Sequence, residues 1–446
     1  MKIKDPLLYQ IIFLLNWHAF ENELEFQWHK EAIKDFLLAC WEKANPTQPF
    51  PEEKVNEFLN KVERYLFPEK GSGAGDSLNI FKDIRVLSTS GKVNEKDIDL
   101  EARTFDDTLR IHLIYKISGE ESTEIFGRLK DNALKTKELR EKEAGKHTYI
   151  GEVYYLVAEI IGECNEEKAK ELAFEILKPF GEYQKEEFIV LKFDWGYLVI
   201  HPEIKEMPVI LYYPKNEYLI LLAQLVHKIL PYLFLNRCKF QYVFWLTNRL
   251  RAKIETKEKE INDLCERCLS GITRQSEGGE IRGLRKMEDT VANLSKMEGT
   301  FVKQLTDWKG YIREIEVILT SLEELLERKV FNGHQSELKE LWTKDVSFGR
   351  EQLEANLRFY TLTREMADST LDALYKIAQI RDAQWDRVTN WLIGILAVWA
   401  IMDVFESDVP SWFSIPSWIW RIVIMITGGY LFHKFILPRL RYWLKI

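Results

Sequence analysis

The stretch QWDRVTNWLIGILAVWAIMDVF, Gln384 to Phe405, starts as a charged helix and ends as an apolar one. From Val388 to Phe405 its only ionisable side chain is Asp403, and its length is near the roughly 20 residues a bilayer crossing needs. Glu406 and Asp408 follow at once, then Pro410 and Trp412, and then a second apolar run, WIWRIVIMITGGYLFHKFIL, Trp418 to Leu437. Trp385, Trp391, Trp412, Trp418, Trp420 and Trp443 stand near the ends of the two runs, where an aromatic belt sits. The pattern predicts a C-terminal two-helix transmembrane hairpin: spans 388–405 and 418–437, a loop 406–417, and a basic tail 438–446.

Its orientation follows from the cations. Lys376, Arg381 and Arg387 precede the first span, Lys434, Arg439, Arg441 and Lys445 lie at or after the end of the second, and the loop has none. The excess of Lys and Arg marks the cytoplasmic side. The expectation is a multi-pass protein of the inner (cell) membrane with both termini cytoplasmic and the loop outside.

Asp403 then has a register. Counting back in sevens gives Leu396, Thr389, Asp382, Tyr375, Asp368 and Thr361, one polar stripe on a long helix at coiled-coil spacing. A carboxylate facing lipid costs on the order of a few kcal/mol even on mild scales. Lining a water-filled axis shared by several subunits avoids that cost and attracts cations. On this placement Asp382, Thr389, Leu396 and Asp403 line a pore, and Glu406 and Asp408 flank its outer mouth. The other placement puts Asp403 at the membrane edge, reaching water. Both are open to the sequence.

Upstream, residues 236–387 read as a helical stalk. Phe301, Leu305, Trp308, Ile312, Ile315, Leu319, Leu322 and Leu326 alternate steps of four and three, a heptad seam offered to neighbouring helices. Breaks at SEGGE (Ser276–Glu280) and FNGHQS (Phe331–Ser336) predict helix ends, the second forming a hairpin whose return arm runs from Glu337 into the membrane. Residues 97–235 alternate strand-like and helical patterns, giving a cytoplasmic α/β domain with about five strands. The strand-like runs are LRIHLIYKI, YIGEVYYLVAEI, the pair FIVLKFD and GYLVIHP, and PVILYYP. Residues 68–96, opening with PEKGSGAGDS, read as a linker, since no Lys-Ser or Lys-Thr completes a phosphate loop. Residues 1–67 read as amphipathic helices, with Pro6–Leu15 a buried helix too short to span a bilayer and followed by no cleavage site.

Of 446 residues, 46% are hydrophobic and 30% charged, and the net charge of -8 argues against nucleic acid as a partner. Five scattered cysteines imply no disulfide framework, and Cys265 and Cys268 form a C-x-x-C inside helical sequence with no second pair for zinc. His112 and His201 lie in strand-like runs, where a packed or surface histidine is commoner than a ligand. No catalytic constellation stands out, so the chain does not read as an enzyme.

The order of α/β domain, long helix, first span, short outer loop, second span and basic tail resembles the CorA family of divalent-cation channels. The resemblance covers residues 100–446 in architecture. In residue detail it rests on QWDRVTNWLIGILAVWAIMDVF and LPRLRYWLKI. It implies a homopentamer whose first span lines the pore, no tightly bound cofactor, and a divalent cation such as magnesium as cargo. The family's Gly-Met-Asn motif is absent: Met402–Asp403 stands nearest to it, and carboxylates replace the asparagine. Divergent CorA-like proteins without the motif resemble membrane effectors of type III CRISPR antiviral systems, opened by a nucleotide ligand. A non-conducting, membrane-anchored coiled-coil binding protein is the remaining alternative, and the acids inside the first span argue against it.

Overall fold

The computed structural model describes residues 2–15, 23–66, 85–93, 96–105, 108–142, 145, 148–275, 282–405 and 430. The chain divides into two compact units, one of Met1–Ala252 with Thr306–Leu357, the other of Lys253–Leu305 with Arg358–Ile446. The architecture is mixed α+β, a sheet with long helices.

The first unit is organised by its opening residues. Lys2–Leu15 form strand β1, where the sequence reading expected a buried helix over Pro6–Leu15. The error has a physical source. A strand buried on both faces loses its alternation and reads as an unbroken apolar run, which periodicity cannot tell from a buried helix. From Leu8 to Leu14 every residue is buried. Strand β1 pairs antiparallel with β4 (Thr108–Lys116) on one side and with β6 (Tyr149–Ile160) on the other.

Outside β4 lie β3 (Lys96–Phe105) and β2 (Arg85–Val93). Beyond β6 lie β9 (Val209–Tyr212), parallel to it, then β8 (Gly196–Ile200) and β7 (Ile189–Phe193). The sheet order is β2-β3-β4-β1-β6-β9-β8-β7, with the short β5 (Glu120–Ser122) also on β1. Among the described residues the sheet has nine strands against about five expected. The stretch 68–96, read as a linker, contains β2 and the first residue of β3. Its opening glycines lie outside the described residues. The β7–β8 hairpin is present as read, and Gly196, at φ +146, follows its tight turn.

Helices cover both faces. On one, Leu8, Ile12, Leu100, Ile111 and Leu113 pack with Ile33, Phe36 and Leu37 of α1 (Glu23–Ala44), Leu59 of α2 (Glu52–Leu66), Phe126 of α3 (Ile125–Asn132) and Leu172 of α5 (Glu166–Leu177). A short α4 (Lys137–Glu141) lies between α3 and β6 in the chain. On the other face lies a run of helix: α6 (Asn216–Gln224), a π-turn (Leu225–Ile229), and α7 (Leu230–Gln275). There Tyr155 donates its hydroxyl to the Val226 carbonyl at 2.7 Å, and its ring stacks on Tyr9 at 4.6 Å. Gly151 lets α7 approach closely, since a Cβ there would lie 2.7 Å from the Cβ of Cys238.

Two long helices follow, α8 (Arg282–Leu326) and α9 (Gln335–Phe405), joined by a turn with Gly333 at φ +91. The hairpin expected at Phe331–Ser336 is therefore present, while Ser276–Glu280 lies outside the described residues. The predicted heptad seam sits on α8, but Phe301, Leu305, Trp308, Ile312, Ile315, Leu322 and Leu326 are buried within the single chain. Trp308 donates its indole N–H to the Leu353 carbonyl of α9 at 3.0 Å. The seam is therefore buried against helices of its own chain.

A charged clamp fixes the start of α9 in the first unit. Asp345 accepts from Lys205 at 2.8 Å and lies 3.5 Å from Arg237. Arg237 is buried, also meets Glu206 at 3.3 Å, and donates to the Trp342 carbonyl at 3.2 Å. Partial burial pushes the Asp345 carboxyl up, but the hydrogen bond and charge of Lys205, then of Arg237, outweigh it and hold it below the usual value.

A carboxyl depressed in the fold contributes stability above its unfolded pKa, about 3.9, and loses it as pH falls through the folded value. Asp345→Asn should therefore lower the urea midpoint of the solubilised chain at pH 7. The gap to wild type should shrink as pH drops below about 4. An equal midpoint at pH 7 would show that the clamp is only a surface contact.

Candidate functional site on the C-terminal helix

Helix α9 is 71 residues long and runs unbroken from Gln335 through the predicted first span to Phe405. At 1.5 Å per residue its segment 388–405 is about 27 Å long, close to the thickness of a hydrocarbon core. Of the predicted pore residues, Asp382, Thr389, Leu396 and Asp403 all lie on this helix at seven-residue steps. Thr389 is exposed, and so are Asp368 and Tyr375 further back on the stripe. The structure describes the backbone, not the side chains, of Asp382, Leu396 and Asp403. Glu406, Asp408, the loop and the second span lie outside the described residues, Tyr430 apart. On a straight helix the stripe drifts by about 20° per heptad, so one axis faces all four residues only if α9 supercoils.

In the second unit, one face of α9 is packed. Tyr360, Thr363, Ala367, Thr370, Leu371 and Leu374 are buried there. Thr363 donates to Glu258 of α7 at 3.1 Å. Cys265 and Cys268 of α7 are buried free thiols, their pKa values raised by that burial. Glu298 of α8 and Asp368 share a hydrogen bond. Burial, then the charge of Asp368, raises the Glu298 carboxyl despite Arg364 nearby.

Another face of α9 carries a row the sequence reading missed. Phe359, Leu362, Met366 and Ile380 are exposed large apolar residues, and with Ala373 they fall at steps of three, four, seven and seven. Leu362 is 62% exposed and Phe359 59%. The signal was legible, since 359, 362, 366, 373 and 380 are a and d positions of one heptad frame. Trp391, Leu392 and Ile393, entering the predicted span, are exposed as well.

The two histidines differ: His112 lies in β4, and His201 just follows β8. His201 is fully buried, with Nε2 3.0 Å from a Glu187 oxygen and Nδ1 accepting from the Glu203 N–H, so it is a satisfied core residue. His112 is buried too, yet its Nε2 has no hydrogen-bond partner among the described residues. Among those residues no three His, Cys, Asp or Glu side chains gather as a metal site.

By length and composition alone, Asn216–Cys268 is a candidate membrane-crossing helix among the described residues, with mean hydropathy 1.6 over its most apolar window. Its packing fits a core helix instead. Leu225, Leu230, Leu233 and Phe234 are fully buried, and Phe234 stacks on Tyr155 of the sheet at 6.0 Å.

No family model matches the chain, and no curated protein matches it. Among solved structures it is similar to the CorA magnesium transporter from Methanocaldococcus jannaschii, at 13% identity, covering 64% of this chain and 90% of that one. The TM-score is 0.25, too low for the likeness to carry a conclusion about fold or function.

Proposed function

We propose that the chain is one subunit of an oligomeric membrane cation channel, gated through its sheet-containing unit. The observation that carries this is the continuity of α9, which leaves a packed unit and reaches Phe405 without a break, ending in apolar sequence that holds Asp403. Residues 388–405 and 418–437 span the membrane, with both termini cytoplasmic. Asp382, Thr389, Leu396 and Asp403 face the axis, and Glu406 and Asp408 stand at the mouth. A single hairpin encloses no water path, so the channel is a ring, of five subunits on the family resemblance. The row from Phe359 to Ile380 supports assembly, because an exposed a/d row is completed by another helix of the same period. Divalent cations, magnesium among them, are the cargo this reading favours.

Topology is tested by cysteine labelling. Cysteines placed at Ser411 or Ser414 should react with an impermeant thiol reagent outside intact cells, and one at Leu444 should not. Reaction at 444 alone reverses the orientation and removes the outer mouth.

Assembly has its own test. Wild type should show a single oligomeric mass by light scattering in mild detergent, and Leu362→Asp, a change at an exposed position, should shift it toward monomer. A monomeric wild type in several detergents would sink the ring.

Conduction is read in planar bilayers. Converging carboxylates in a region of reduced dielectric act more strongly than in bulk water, and rings of them select cations. Asp403→Asn should preserve assembly and lower cation conductance at low ionic strength. Glu406→Gln should do less, because salt screens a loop charge. An Asp403→Asn channel that conducts like wild type at low salt places the carboxylate at the membrane edge.

A further inference from the structure

In the second unit α7 and α8 leave a groove of about 430 Å³ between them. Leu264 of α7 and Met297 of α8 give it apolar surface, and Lys257, Arg267, Asn293 and Lys296 border it. Lys257 is paired with Glu260 at 2.5 Å. Arg267 donates its Nε to the Asp263 carbonyl at 3.0 Å. Among the described residues neither Arg267 nor Lys296 has a carboxylate partner. The groove therefore combines an apolar floor with two unbalanced positive charges.

Helix geometry decides which way it opens. At 3.6 residues per turn, Arg267 lies about half a turn around α7 from Glu258, which accepts from Thr363 of α9. Lys296 lies about half a turn around α8 from Glu298, which shares a hydrogen bond with Asp368 of α9. The groove faces away from the chain's own α9, so the exposed row on that helix cannot fill it.

The row has the matching chemistry. Leu362, Met366, Ser369 and Ala373 fall at steps of four, three and four between Arg358 and Lys376. Beside them, Arg364 and Asp368 pair with each other at 3.6 Å. Glu365 and Asp372 are exposed and have no cationic partner among the described residues. Each stands one residue before an a position, Met366 or Ala373. That is the g position, where a coiled coil places the charges that choose its partner. Two unpaired carboxylates thus flank an apolar row on one face of the unit, and two unpaired cations flank an apolar groove on another.

We propose that the groove between α7 and α8 receives the α9 row of a second copy of this chain. Leu362 and Met366 lie over Leu264 and Met297, and Glu365 and Asp372 face Lys296 and Arg267. Two different faces meet, so the contact is heterologous, and a repeated heterologous contact closes a ring when its rotation allows. A small ligand suits the groove less well. Arg267, Asn293 and Lys296 are exposed, whereas a small-molecule pocket encloses most of its ligand around convergent polar groups. The assignment rests on the chain forming a ring and names the surfaces that meet in it.

The test is cross-linking between two differently tagged forms of the full chain, co-expressed and extracted in mild detergent. Both carry Cys164→Ser, because the other four native thiols are buried. One form has Asn293→Cys and the other Ser369→Cys, each at an exposed position. A short bismaleimide should join the two forms, and neither form expressed alone should cross-link. Lys296→Glu in the first form should cut the yield by about two- to fivefold, the factor expected of one exposed ion pair. Glu365→Lys in the second should do the same, and the two reversals together should restore the yield. Protection of Asn293→Cys by dodecyl phosphate, without a mixed cross-link, would assign the groove to an anionic amphiphile and overturn the proposal. Ser369→Cys chains that join each other while the mixed pair does not would show the row packing on its own copy, and overturn it as well. An oligomeric wild type that gives no mixed cross-link overturns this interface and leaves the ring standing, whereas a monomeric wild type removes both.

Discussion

The sheet unit depends on burying β1 on both sides. A single strand supplies Leu8, Ile12 and Leu14 to one core and Tyr9, Ile11 and Phe13 to the other. Its one buried amide, Gln10, must then be satisfied in place, and it is. Its Nε2 donates to the Leu134 carbonyl at 2.8 Å and to the Tyr154 hydroxyl at 3.0 Å, and its carbonyl accepts from Tyr115 at 2.9 Å and from the Leu134 N–H at 3.0 Å. Thr136 donates to Glu152 in the same network at 2.5 Å. With every member paired, such a network specifies one register rather than loosening the core. That register sets Ile11 opposite His112 and Tyr9 opposite Ile114 on β4.

The long helices obey a different constraint. Each presents several faces, and neighbours must account for the apolar ones. On α8 one seam is filled inside the chain. On α9 one face is filled by the second unit, and the row from Phe359 to Ile380 remains exposed beside it. A solvated helix gains nothing from such a row, while a helix in a symmetric assembly needs it. The charged clamp at Asp345 and Arg237 fixes the near end of the same helix to the sheet unit, so a change in that unit has a covalent and well-packed route into α9.

What the sequence disclosed followed from the kind of burial each segment meets. Strands β4, β6, β7, β8 and β9 alternate or sit between clear turn residues and could be read directly. Strand β1 could not, because burial on two faces erased its period. Strand β2, RVLSTSGKV, is mostly polar, and its two buried apolar residues, Val86 and Leu87, are consecutive and show no strand period. The α8 seam had the right period, but a period does not say whether its partner lies in the same chain. At the candidate site the heptad count placed Asp382 and Asp403 on one helix, and the unbroken α9 carries both.

The place of β1 in the chain also sets a problem of timing. Its first partner strand ends near residue 116, and its second begins at Tyr149. At ribosomal rates of about 5–20 residues per second, the apolar opening waits roughly 7–30 s before both neighbours exist. Until β6 is made it is a nascent hydrophobic segment with at least one unpaired edge. A transiently exposed apolar segment of this kind is what chaperones shield from aggregation.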